Sequence, residues 1–312
     1  MFLFFGKCVI MKKFNVRFFL SYLILVSGIS SFSQTLPIGT PLLEEVARLN
    51  QLKGKVDLRT SFLVRPLHPK GFQIPDSLAL SRDSTFVTGV YCKKQFRKGK
   101  VSLLILPFAV KQQYNSHHAY GWNDGSMTPA KGYQSQLTAG VYAKWGLLSI
   151  QLQPELVYAQ NTSFSTFPTS HSDSIWKSYY YVLNRIDAPE RFGDKRFLKL
   201  FPGQSSIRFN YKKLSLGVST ESLWWGPGVR NSLIMSNHAP GFKHITFNTT
   251  APIVTGIGSF EGQVISGILT ASDILPPDTA RTFEGQKLYI SKPEGDRYIN
   301  GMVITWQPKW TK

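Results

Sequence analysis

Gly146-Leu147-Leu148-Ser149-Ile150-Gln151-Leu152-Gln153-Pro154-Glu155-Leu156-Val157-Tyr158-Ala159-Gln160 alternates in kind along its length. Leu148, Ile150, Leu152, Leu156 and Tyr158 fall on one side, and Ser149, Gln151, Gln153 and Glu155 on the other. A period of two sends successive side chains to opposite faces of an extended chain, so the stretch predicts strand with one apolar and one polar face. The same pattern recurs outward from it. Residues 206–221 read as a hairpin: Ile207, Phe209, Tyr211, Leu214, Leu216 and Val218 oppose Arg208, Asn210, Ser215, Ser219 and Glu221, with Lys212 and Lys213 at the turn. On the other side, residues 132–145 set Tyr133, Leu137, Ala139, Val141 and Trp145 against Gln134, Gln136, Thr138 and Lys144.

Further strands are expected at 101–114, 244–250, 258–270, 287–291 and 299–307, the first more continuously apolar than alternating. Several exceed the roughly 5–6 residues of an average soluble strand and approach the roughly 9–11 tilted residues that cross a bilayer. No stretch after Gln34 has the length and apolarity of a membrane helix, so a membrane location requires a closed sheet that satisfies its own backbone groups. The expected fold class is therefore all-β: an antiparallel transmembrane β-barrel with a short N-terminal amphipathic helical segment. A secreted β-sandwich alternates too, and periodicity alone leaves it open.

The N-terminus bears on that choice. Lys12 and Lys13 precede the apolar run 18–29, and Ser31-Phe32-Ser33 supplies small residues for cleavage before Gln34, so residues 1–33 read as a signal peptide. Removing them takes away Lys7, Lys12, Lys13 and Arg17 and leaves 32 basic against 18 acidic side chains, a net charge of +14. For an exported chain the acidic partners at hand are lipopolysaccharide phosphates and acidic polysaccharide, not nucleic acid. Cys92 alone would remain, which excludes an internal disulfide and a lipid-bearing cysteine at the cleavage site. Residues 41–52 then place Leu42, Leu43, Val46, Leu49 and Leu52 at helical spacing among Glu44, Glu45 and Arg48. The expected organisation is a periplasmic helical cap and lead-in over 34–100, followed by barrel strands and loops over 101–312. The connection 161–201 is too long for a plain turn, and connections of that size usually have a task.

Catalytic patterns are weak. Glu155, Glu221 and Glu261 fall on polar strand faces and would supply the carboxylate pair of a glycosidase, yet such residues are expected in any polar lumen. His117-His118 with Asp124, and His171 with Asp173, lack a third metal ligand at a recognisable spacing, and neither a phosphate-binding loop nor a nucleophile elbow is present. Lys93, Lys94, Arg97, Lys98 and Lys100 suit either an anionic glycan or a solvated turn. Tyr120, Trp122 and Trp145 suit either an interfacial belt or ligand contact.

The most distinctive stretch is Glu221-Ser222-Leu223-Trp224-Trp225-Gly226-Pro227-Gly228-Val229-Arg230, continuing Asn231-Ser232-Leu233-Ile234-Met235-Ser236-Asn237-His238. It has two readings. Indole faces stack on sugar rings while Arg230, Asn231, Asn237 and His238 bind hydroxyls or carboxylates; alternatively, Trp224 and Trp225 pack a sharp corner set by Gly226-Pro227-Gly228. This stretch, with Arg65-Pro66-Leu67, Lys144-Trp145-Gly146, Gln153-Pro154-Glu155 and Ala159-Gln160-Asn161 in the same order, resembles the Wzi capsule-assembly family. The resemblance runs from about Gln34 to the end. It implies a monomeric outer-membrane barrel, without catalysis or cofactor, that acts as a lectin holding capsular polysaccharide or exopolysaccharide at the cell surface. Barrels of that family are larger than the strands counted here provide, so the resemblance also implies a C-terminally truncated barrel. A porin-like diffusion channel is the alternative from another class.

Overall fold

The structure, a computed structural model, describes residues 35, 38, 41–53, 60–68, 92–96 and 101–310 apart from 188, 277 and 292–294. The expected signal peptide lies outside the described residues, as do the side chains of Lys93 and Lys94 and the whole of Arg97, Lys98 and Lys100. In chain order the elements are α1 (Pro41–Leu52), β1 (Val64–Arg65), β2 (Cys92–Phe96), β3 (Val101–Tyr120), β4 (Ala130–Trp145), β5 (Leu148–Leu152) and β6 (Glu155–Ala159). Then come α2 (Asp173–Leu183), β7 (Phe197–Phe201), β8 (Ser206–Tyr211), β9 (Leu214–Ser219), β10 (Trp224–Trp225) and β11 (Lys243–Thr249). The chain continues through β12 (Ile253–Thr255), β13 (Gly258–Leu269), β14 (Thr282–Phe283), β15 (Gln286–Lys287) and β16 (Arg297–Pro308).

One 12-stranded sheet holds all but β1, β10, β14 and β15, and every ladder in it is antiparallel. Its path is a meander in which each long run pairs with the next one in sequence. The run quoted at the outset forms β5 and β6, interrupted at Gln153-Pro154 because proline has no N–H for a ladder. β5 pairs β8 while β6 pairs β7, and the chain crosses the break at Gly203. Gly203 has φ +60, and a Cβ there would stand 2.3 Å from the Gln153 carbonyl oxygen, so only glycine fits. The outermost strands, β2 and β16, pair only β3 and β13 among the described residues, and no described ladder joins them to each other.

Burial follows the predicted alternation with its sign reversed relative to a water-soluble core. On β8, Arg208 is 1% exposed while its neighbour Ile207 is 53% exposed. The covered face also holds Gln134, Gln136, Ser149, Gln151, Ser215 and Thr246; the open face presents Leu152, Phe209, Leu216, Val218, Phe247 and Val264. Buried polar groups need hydrogen-bond partners, and the N-terminal segment supplies many of them. The Thr35 hydroxyl donates to Glu221, and Gln151 Nε2 donates to Thr35 Oγ1 at 3.1 Å. The Ser61 N–H donates to Glu261 Oε2 at 2.7 Å, and His68 Nε2 lies 2.8 Å from Asn248 Nδ2. β1 pairs β10, placing Val64 against the small apolar cluster of Leu223, Trp225 and Ile265.

Residues 60–68 lie along the covered face of the sheet. α1 forms over the residues whose spacing predicts a helix. Of its described side chains Glu45 is exposed, while Glu44 Oε2 lies 2.9 Å from Arg65 Nε, Arg48 lies over the Phe62 ring at 5.2 Å and Gln51 donates to the Thr60 carbonyl at 3.3 Å. Leu49 and Leu52 are exposed. The reason is that the surface facing the helix is itself polar. Burial raises the Glu44 carboxyl, with the Arg65 and Arg48 charges pulling the other way, and burial lowers Arg65. None of the described helices is long and apolar enough to cross a membrane.

The centre of the polar face is the pair Arg208 and Glu221, whose Nη2 and Oε2 atoms are 2.5 Å apart. Arg208 Nη1 also donates to Asn248 Oδ1 at 2.8 Å, and Ser219 Oγ donates to Glu221 Oε2 at 2.8 Å. Burial alone would raise the Glu221 carboxyl; the Arg208 charge and the bonds from Thr35, Arg208 and Ser219 outweigh it and hold the group below its usual 4.5. Removing one partner of such a pair strands a buried charge. Arg208→Met is expected to lower the unfolding free energy by about 3–5 kcal/mol, read as an earlier midpoint in urea titration in detergent. A depressed carboxyl contributes stability that is present above pH 4.5 and lost as pH falls through the folded value. The stability gap between native chain and Glu221→Gln is therefore expected to narrow on acidification below that point.

Candidate functional site

The direction of the strands sorts their connections into two sets. Because consecutive strands run antiparallel, connections 121–129, 160–196, 220–242 and 270–296 emerge at one end of the sheet. The shorter connections 146–147, 212–213 and 250–257 emerge at the other. The sequence-predicted binding residues all belong to the 220–242 connection on the long-loop end or to the strand it contains.

They separate into two groups there. Trp224 and Trp225 are 3% and 4% exposed, and they form β10. The Trp225 indole N–H donates to Gln263 Oε1 at 2.9 Å, and its ring packs on Leu223 and Ile265. A Cβ at Gly301 would stand 2.9 Å from that ring, which explains glycine on the facing strand. The Trp224 N–H donates to the Gly228 carbonyl at 2.9 Å, closing the Gly226-Pro227-Gly228 turn on itself. Both rings are thus covered by protein, and the expectation that they stack on sugar is corrected: they pack the corner. Asn237 is also buried, and its side-chain Nδ2 donates to the Asn123 backbone carbonyl at 3.1 Å while its backbone carbonyl accepts from the Gly125 N–H at 2.9 Å.

Arg230, Asn231 and His238 are exposed at the rim. The 121–129 loop docks on them: Asn123 Nδ2 donates to the Arg230 carbonyl at 2.6 Å, and the Trp122 and His238 rings meet edge to face at 5.0 Å. Trp122 remains 51% exposed. Beside it, burial raises the Asp124 carboxyl, opposed mainly by backbone N–H groups. A rim of Trp122, Arg230, Asn231 and His238 offers an aromatic face, a guanidinium, an amide and an imidazole to solvent, which suits hydroxyls and anionic groups.

The three carboxylates weighed as glycosidase candidates are tied into the sheet interior. Glu155 accepts from Ser126 Oγ at 2.5 Å and Gln204 Nε2 at 3.2 Å, Glu261 accepts from Ser61, and Glu221 is committed to Arg208.

The long connection 161–201 mixes the aromatics Trp176, Tyr179, Tyr180 and Tyr181 with Arg185, Arg191, Lys195 and Arg196. It contains α2, where Trp176 and Tyr180 are buried, and Phe167 stacks on Tyr179 with ring centroids 4.1 Å apart. Burial pushes the Tyr180 hydroxyl up to about 12, and burial together with a 2.5 Å bond to Glu190 raises Tyr179. Between this loop and 270–296 opens a cleft of about 1030 Å³, lined by Tyr179, Glu190, Arg191, Asp273, Tyr289 and Asp296 among others. The run of aromatics at Trp176, Tyr179, Tyr180 and Tyr181 was the available signal; their partners across the cleft, 100 residues on, carried none.

No protein-family model, curated protein or solved structure matches this chain.

Trp225→Ala is expected to cost about 3–5 kcal/mol by opening a cavity and orphaning Gln263. Trp122→Ala is expected to stay within about 0.5 kcal/mol of the native chain. Urea titration of both variants in the same detergent checks the contrast, which separates a packing tryptophan from a presented one.

Proposed function

We propose that this chain is an outer-membrane β-barrel protein whose long-loop end holds capsular polysaccharide or exopolysaccharide at the cell surface. The observation that carries the reading is the reversed burial of the sheet, apolar side chains outward and Arg, Gln, Glu, Ser and Thr inward. In water an apolar face of that extent is a liability, whereas in hydrocarbon it is the required surface, and the polar face is then the lumen. Antiparallel strands with short turns at one end and long loops at the other match that architecture, the long loops facing outward. Strand ends carrying Tyr120, Trp145, Tyr211 and Trp306 suit the interfacial aromatic belts.

Glycan retention is supported by the Wzi-like order of motifs, by the net positive charge, which favours lipopolysaccharide and acidic polysaccharide as partners, and by the exposed Trp122, Arg230, Asn231 and His238 rim. A diffusion channel is the weaker reading, because Thr35, residues 60–68 and the Trp225 cluster occupy the inward face where a pore would run.

Two readouts test the proposal. Detergent-extracted membranes are expected to give a band whose gel migration differs between boiled and unboiled samples. Cells producing the chain are expected to retain several-fold more surface polysaccharide after washing than cells lacking it. An aqueous, heat-insensitive protein would defeat the barrel reading, and a heat-modifiable protein without polysaccharide retention would defeat the glycan reading alone.

A further inference from the structure

The cleft between loops 160–196 and 270–296 is held open by a set of specific ties. Asn184 grips the second loop twice: its Nδ2 donates to the Leu288 carbonyl at 2.9 Å and its Oδ1 accepts from the Ile290 N–H at 3.1 Å. Asp187 accepts from both the Ser272 N–H and hydroxyl, each at 2.6 Å. Arg281 reaches back to Asp173 at 2.9 Å and to the His171 carbonyl at 3.2 Å while its guanidinium lies 4.7 Å from the centre of the Trp176 ring. Preformed concavities of about 300–1,000 Å³ with mixed apolar and polar walls are the usual form of ligand sites, and this one is at the upper end of that range.

Its walls say what would fit. Tyr179 and Tyr289 supply aromatic surface, Leu275 and Ile274 aliphatic surface, and the volume admits several sugar rings. Among the described residues the ionisable lining is five carboxylates, Asp187, Glu190, Asp194, Asp273 and Asp296, against the guanidinium of Arg191, in a chain with twice as many basic as acidic residues. Arg191 Nη1 is bound to Asp194 at 3.2 Å, and its Nη2 donates to the Asn161 and Asp194 carbonyls. Anionic ligands would therefore meet a field of their own sign, and ammonium groups one of the opposite sign. The Arg230 and His238 rim lies outside this lining.

We infer that this cleft is a saccharide-binding site selective for a glycan segment bearing amino sugars rather than uronic acids. This rests on the glycan-holding role proposed above and divides it: the cleft takes amino-sugar units, and anionic units are left to the rim.

The test uses the full chain in detergent micelles and three probes of equal length: a glucosamine oligomer, its N-acetylated counterpart and a galacturonate oligomer, titrated by calorimetry. The glucosamine oligomer is expected to bind at least about ten-fold more tightly than the galacturonate oligomer, with the N-acetylated one between them. Leu275→Arg, at a wall residue 65% exposed and outside the loop ties, is expected to abolish binding of all cleft-bound probes. Asp273→Asn with Asp296→Asn is expected to bring the glucosamine oligomer down to the affinity of the N-acetylated one. Galacturonate binding that Leu275→Arg abolishes and that is as tight as glucosamine binding, or glucosamine binding that Leu275→Arg leaves intact, overturns the site, whereas galacturonate binding that survives Leu275→Arg belongs to the rim. If no probe binds a heat-modifiable chain that still confers polysaccharide retention on cells, the cleft assignment fails while the proposed function stands.

Discussion

The rest of the structure depends on a sheet whose polar face is the covered one. Burying a polar side chain without a partner costs about 1–3 kcal/mol, so a face carrying Gln134, Gln136, Ser149, Gln151, Arg208 and Glu221 needs a dense supply of donors and acceptors. The strands cannot supply them alone, because their backbone groups are engaged in ladders. The N-terminal segment does so in part: Thr35 and residues 60–68 thread onto that face and bond to side chains up to 244 positions away in sequence. Arg208 and Glu221 neutralise each other at its centre. A dry patch, Leu223, Trp225 and Ile265, sits where β1 meets β10.

That constraint also explains how the Trp-Trp-Gly-Pro-Gly stretch works. A polar covered face offers few places to anchor an inner segment by apolar packing. Trp225 provides one, with its single polar atom satisfied by Gln263, and Trp224 locks the following turn by bonding to Gly228. The turn then sets the long 220–242 connection against the 121–129 loop through Asn123 and Asn237. Internal packing and presentation of the rim are thus consecutive steps along one stretch of chain.

Much of the sheet was legible because period-two alternation is a local signal. Of the hairpin expected at 206–221, residues 206–219 form β8 and β9 with the turn at Lys212-Lys213, and residues 132–145 lie within β4. β3 runs six residues beyond the expected 114, to Tyr120, because Gln113 and Asn115 side chains bond back to its far end where no hydrophobic pattern remains. The strand expected at 287–291 is instead the two-residue β15, the rest of that segment being held against Asn184. α2 and β7 lay unseen inside the 161–201 connection, since Trp176 and Tyr180 bury against partners remote in sequence. For the site, alternation gave the inward face and composition gave the corner. Whether a tryptophan packs or presents its ring depends on the neighbours at Gln263, Ile265 and Gly301, which local sequence does not reveal.

The central claim, that the open apolar face meets hydrocarbon and the covered polar face does not, is tested most directly by spin-label accessibility. The native Cys8 and Cys92 would be replaced by serine, and a single label placed in turn at Leu216, Val218 and Phe247 on the outward face and at the exposed loop residue Asn231, in outer membranes from producing cells. The account predicts that the three outward labels relax faster with dissolved oxygen than with a water-soluble nickel chelate, and that the label at Asn231 shows the reverse. Outward labels that respond to the chelate as strongly as the one at Asn231 would place that face in water and contradict the account.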